Sequence, residues 1–130
     1  MLWLLKGHAA QRVITAWHVG WEPALKASER DWLAPFQAEL LADEYRVVRY
    51  VVARGLRSLP GFGNFRYDFL TDDTALRKAA REAQKTWALN LERPSRRGPE
   101  VLIGGDGMVL EERLRALVAA KDQRPVTIKE

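Results

Sequence analysis

Along the first part of the chain the apolar positions recur with a helical period. Between Ala9 and Trp21 they fall at Val13, Ile14, Trp17 and Trp21, a spacing that Gly20 interrupts and Pro23 closes. Leu2 to Leu5 is too short for periodicity to separate a buried strand from a helix end. Ser28, Glu29 and Asp31 have the composition of a helix start. Pro35 then leaves two courses: a short turn ending near Ala34, or a helix with Pro35 in its first turn that runs to about Ala42. Asp43 to Leu59 is the clearest helix of the first half. At 100° per residue, Val48, Val51, Val52, Leu56 and Leu59 form one apolar arc, and Arg46, Arg49, Arg54 and Arg57 gather with Tyr50 opposite.

In the second half the pattern changes. Pro60-Gly61-Phe62-Gly63-Asn64 reads as a turn. Phe65-Arg66-Tyr67-Asp68-Phe69 alternates aromatic and polar, which predicts a half-buried strand. Thr71-Asp72-Asp73 offers side-chain acceptors for a helix start, and Leu76, Ala79, Ala80 and Ala83 continue it as a narrow stripe. Near Thr86 the period shifts to two, with Trp87, Leu89 and Leu91 on one side, and a strand is expected. Arg93 to Gly98, which holds Arg96 and Arg97, reads as a basic exposed loop. Pro99 and Glu100 open either a short helix or a strand to Ile103. After Gly104-Gly105-Asp106-Gly107, Met108 to Lys121 reads as an amphipathic helix burying Val109, Leu110, Leu114, Leu117 and Val118, and Pro125 to Lys129 as a closing strand.

The chain has 130 residues, 47% of them hydrophobic, enough for one sizeable core, and a single domain spanning 1–130 is expected. The apolar run at the start stops at Lys6, too short for a signal-peptide core or a membrane span. Cysteine is absent, which excludes disulfides and thiolate metal sites and suits a reducing, cytoplasmic setting. Lysine and arginine number 21 against 17 acidic residues, a net charge of +4. Five arginines and no acidic residue lie between Tyr45 and Tyr67. Such a face suits phosphate contact and base stacking. It equally suits a solvated surface whose charges pair with Glu39, Asp43 and Glu44.

The glycine turn resembles two families. Ile103-Gly104-Gly105-Asp106-Gly107 is similar to the Ile-Gly-x-x-Gly turn of KH domains, which clamps the backbone of single-stranded RNA or DNA. The likeness extends over about residues 65–130 in the type II arrangement. It implies a mixed α/β (α+β) fold, with a helical half at 1–64 and a KH-like βααβ half carrying a small sheet at 65–130. KH turns usually hold Lys, Arg or Gly in the variable positions, where this chain has Gly105 and Asp106. Gly104-Gly105-Asp106-Gly107 also resembles the nucleotide-binding turn of diacylglycerol and NAD kinases, with Met108 where those carry Thr and too few residues following for their second lobe. A shorter resemblance, Leu59-Pro60-Gly61-Phe62-Gly63, is to the hairpin of helix-hairpin-helix DNA-binding modules.

No catalytic constellation stands out. His8 and His18 lack a third ligand at any recognised spacing, so no metal or cofactor is expected. Glu111 and Glu112 diverge by about 100° on a helix and cannot share a proton. The expected function is non-catalytic binding of single-stranded nucleic acid, with no membrane partner. Gly104, Gly105 and Gly107 would take backbone phosphates, Arg96 and Arg97 would flank them, and Arg46, Arg49, Arg54, Arg57 and Tyr50 would extend the track. The competing reading is a protein-interaction or adaptor domain with a purely structural glycine turn. Trp3, Trp17, Trp21 and Trp32 are expected in the core of the first half, although tryptophans this dense also serve interfaces.

Overall fold

A computed structural model describes residues 2–23, 26, 32–90 and 102–126. They form six α-helices: α1 (Leu2–Lys6), α2 (Ala9–Val19), α3 (Ala34–Glu39), α4 (Arg46–Arg57), α5 (Asp73–Asn90) and α6 (Glu111–Ala119), with a 3₁₀ turn at Leu40–Ala42. Among the described residues there is no strand, only an isolated antiparallel bridge between Ile103 and Val109. The expected α+β fold is therefore incorrect, and with it the KH resemblance, because a βααβ unit needs a sheet.

The centre of the molecule is α3 with its 3₁₀ extension. Pro35 sits in the first turn, where its missing N–H costs no hydrogen bond, and the helical course is the one adopted. Pro35, Phe36, Gln37, Ala38, Leu40 and Leu41 are all buried, so this segment is covered on every side. α5 packs along it, α2 packs along α4, and α1 rests on α2 and α6. Asp72 Oδ1 accepts the Ala75 N–H at 3.0 Å and starts α5 as its composition predicts.

α5 then runs through Thr86 to Asn90, so the expected strand at Trp87 is helix. At 100° per residue Leu76, Ala80, Ala83 and Trp87 fall within about 60° of one another, and all four are buried. Leu89 is exposed, and the apparent alternation came from this one outlying leucine. Leu91 and the basic loop with Arg96 and Arg97 lie outside the described residues, as do Ser28, Asp31 and residues 127–129 of the expected closing strand. Pro125 and Val126 are not in a strand.

Residues 65–69 keep the alternating burial that the sequence predicts, Phe65, Tyr67 and Phe69 inward and Arg66 and Asp68 outward, but no strand pairs with them. Side chains anchor the segment instead. The Tyr67 hydroxyl donates to the Leu41 carbonyl, Phe69 meets Tyr50 edge-on at 5.4 Å, and Phe65 meets Phe62 at 6.0 Å. The second helix of a helix-hairpin-helix module is absent from this position.

Candidate functional site

The glycine turn is closed on itself. Gly104 N–H donates to the Met108 carbonyl at 2.8 Å, and Gly107 N–H donates to Gly104 at 2.9 Å. Leu110 N–H reaches the Leu102 carbonyl at 2.8 Å, and Met108 N–H donates to Asp106 Oδ1 at 3.0 Å. Gly107 has φ 80°, the left-handed conformation that explains a glycine there. Four amides that a phosphate would need already have acceptors. α6 begins only at Glu111, so its free N–H groups lie beyond the turn, and Glu111 and Glu112 in its first turn oppose an anion. The turn thus holds Val109 against the core. Asp106 is spent on the turn rather than facing a nucleotide. No cluster of three metal-ligating side chains occurs among the described residues.

The arginines divide. Arg46, Arg54 and Arg57 are exposed on α4 with Tyr50. Arg49 is buried, its Nη1 donating to the Asp43 carbonyl at 3.0 Å, and is unavailable to a partner. Arg96 and Arg97 are outside the described residues. Nucleic-acid binding through a KH-type turn and a four-arginine track is therefore corrected: the described residues hold no sheet, four amides in and around the turn are used, and one arginine is inside.

The structure instead exposes three of the tryptophans expected in the core, Trp3, Trp17 and Trp21. Ile14 and Trp17 on α2 are 58% and 55% exposed and lie about 60° apart around the helix, and Trp21, just past its Gly20 cap, is 57% exposed. Val47 and Tyr50 on α4 are 52% and 49% exposed. Trp3 is also exposed, Trp32 is half-buried against Phe36, and Trp87 is the tryptophan of the core. The stripe was legible as helical spacing. Its direction was not, because Val13 and Ile14 are adjacent in sequence and only Val13 packs inward.

α2 and α4 run parallel, with Arg12 beside Tyr45 at their N-terminal ends and Gly20 beside Gly55 at the other. A Cβ on Gly20 would lie 3.1 Å from Gly55 Cα, so this pair permits the close crossing. Above it Arg54 stacks over Trp17 at 5.2 Å, joining the two helices at the surface. A recess of about 220 Å³ opens between Trp17, Trp21, Val51, Arg54 and Ser58, floored by the two glycines.

A buried ion network sets this arrangement. Arg12 and Asp43 are fully buried. Arg12 Nη2 donates to Asp43 Oδ1 at 3.1 Å, and Nε lies 3.0 Å from Oδ2 in ion contact without hydrogen-bond alignment. Arg12 Nη1 donates to the Gly7 carbonyl at 2.5 Å. Asp43 Oδ1 also accepts the Tyr45 N–H at 3.0 Å, ahead of α4, and Lys121 approaches Asp43 Oδ2 at 3.5 Å and Glu44 at 3.4 Å. His8, a candidate ligand by residue type, caps α2 in a reciprocal pair with Gln11, and His18 Nδ1 bonds the Ile14 carbonyl at 2.8 Å.

Elsewhere, a groove of about 550 Å³ lies between α5 and α6 with Glu39 at its side. Burial pushes the Glu39 carboxyl up, against the Gln84 amide that donates to it. Among the described residues no helix is long and apolar enough to cross a membrane. The chain matches no protein-family model, no curated protein and no solved structure.

Proposed function

We propose that the protein is a non-catalytic interaction module that docks a partner protein on the α2–α4 face, with the glycine turn purely structural. One observation carries the reading: Ile14 and Trp17 on α2 and Trp21 just beyond it are exposed, and Arg54, stacked over Trp17, joins them to the α4 side that exposes Val47 and Tyr50. Large aromatics bury much apolar area, and tryptophan, tyrosine and arginine dominate the residues that hold interfaces together. Scattered exposed apolar residues need no explanation, but a contiguous set on two packed helices does. The rigid Gly20–Gly55 crossing and the Arg12–Asp43 network support the same reading, because they hold the face in shape before a partner arrives. A cysteine-free chain suits a reducing compartment, and we include the cytoplasm in the proposal.

A photoactivatable cross-linker placed at Trp21, and separately at Lys78 on the exposed side of α5, tests this in cells. The expected result is a discrete adduct from position 21 only, with a partner that binds the purified protein directly and loses affinity on Trp17→Ala. Equal adducts from both positions, or none from position 21, refute the reading.

A further inference from the structure

We infer that the docking face takes an acidic amphipathic helix of a partner protein, with one large apolar side chain in the glycine-floored recess and carboxylates on Arg46, Arg54 and Arg57. This inference rests on the docking proposal and names the partner's chemistry.

The charge of the face sets the sign. Arg46, Arg54 and Arg57 are exposed, and none of them meets a carboxylate among the described residues. Arg54 lies over Trp17, and Arg57 Nε donates to the Phe65 carbonyl at 3.1 Å, so both guanidinium groups are held at the surface. The acidic groups nearby are already engaged. Glu22, which lines the recess, pairs with Lys26 at 2.9 Å, and Glu44 faces Lys121 and Arg12. Apolar rings bordered by uncompensated guanidinium groups complement a segment that alternates apolar and carboxylate positions around a helix.

The shape sets the form. Two parallel helices make a trough, the usual seat of an amphipathic helix. No sheet edge is available among the described residues for strand addition. Because Gly20 and Gly55 have no side chains, the floor between Trp17 and Val51 is recessed to the backbone, which gives a protruding leucine or phenylalanine a pocket. Its volume, about 220 Å³, is below the range of small-molecule sites and suits a single anchoring side chain. A second copy of this chain fits poorly, since a two-fold dimer on this face would bring one arginine rim toward the other. An anionic bilayer matches the charge but leaves the recess unfilled.

The test uses the full chain and two fluorescein-labelled synthetic helices of about 18 residues with the same leucine–phenylalanine stripe, one with a glutamate and one with a lysine polar face. Fluorescence anisotropy is read at roughly 50 and 300 mM NaCl, across which a charge-dependent complex weakens. The glutamate helix should bind, lose at least about tenfold in affinity at the higher salt, and lose about tenfold with Arg54→Glu. Arg46→Glu should weaken it in the same direction, and Lys78→Glu should leave it unchanged, with circular dichroism confirming that each variant is folded. Equal or tighter binding of the lysine helix overturns the acidic partner while leaving the docking face intact. Binding to neither helix, with a cross-link still forming at position 21, overturns it likewise. Neither helix nor cross-link defeats the docking proposal itself. Exclusive binding to phosphatidylserine vesicles, or a salt-insensitive dimer in sedimentation, replaces the inferred partner with a membrane or a second copy.

Discussion

Replacing Asp43 with alanine tests whether the buried ion network holds α2 against α4. The carboxylate is fully buried and serves three groups: the Arg12 guanidinium, the Tyr45 N–H and, at longer range, Lys121. Removing it leaves Arg12 buried with its charge facing Glu44, at 3.5 Å, the Tyr45 ring and two carbonyl acceptors, Gly7 and Asp122. Breaking a buried pair in this way costs about 3–5 kcal/mol, mostly the penalty of an uncompensated charge. A domain of this size holds about 5–15 kcal/mol in total, so the variant should lose a large share of its stability. At about 4 °C per kcal/mol, the melting temperature should drop by about 12–20 °C. Urea unfolding followed by circular dichroism reads the change. Added salt should not abolish the difference, because the pair is out of reach of solvent ions. The double replacement Arg12→Met with Asp43→Leu should recover most of the loss, since both charges then leave the interior together. A loss below about 1 kcal/mol for Asp43→Ala would refute the reasoning and place Arg12's main partner elsewhere.

Three further outcomes follow from the packing. Gly55→Val should cost about 1–3 kcal/mol, since its Cβ would sit 3.1 Å from Gln37 Nε2 and 3.5 Å from Gly20 Cα, whereas Gly63→Val, with nothing within 4 Å, should stay within about 0.5 kcal/mol; both are read as urea midpoints. Burial pushes the Tyr67 phenol from 10.0 up to about 12, so the unfolded chain loses that proton first and stability should fall as pH rises from about 10 to 12; absorbance near 295 nm should show one phenol titrating late, absent in Tyr67→Phe. The Glu39 carboxyl is also raised by burial, so its folded state favours the protonated form, and the associated stability is present at acid pH and lost as pH rises above 4.5. Glu39→Gln should therefore be more stable than the parent at pH 7, with the gain vanishing in acid, as read by thermal unfolding at both pH values.

Helical periodicity carried most of what the sequence could tell. Val48, Val51, Val52 and Leu56 predicted the buried arc of α4, and Asp72 predicted the start of α5. Short alternating runs carried less, because an extended segment and a strand share the same period. Phe65, Tyr67 and Phe69 alternate in burial as a strand would, yet a tyrosine hydroxyl and ring contacts anchor them where a sheet was expected. The glycine turn misled for a related reason: four residues identify a turn but not the acceptors of its amides, and these lie within residues 102–108. Arg49 was grouped with its neighbours by residue type, although the helix wheel places it nearer the buried arc, where it reaches back to Asp43. The exposed aromatic face was half legible. Ile14, Trp17 and Trp21 show one stripe, but α3, whose apolar residues fill the interior, leaves no room to bury them.

The most direct test of the docking face is a nuclear magnetic resonance titration of the tryptophan indole N–H signals with the glutamate-faced helix. Five tryptophans give five resonances, assigned by single replacements. A helix seated on this face should shift the Trp17 and Trp21 signals, which saturate together, and leave Trp87 unmoved in the core. Shifts confined to other tryptophans, or none at a concentration where the helix is bound, would contradict that seating.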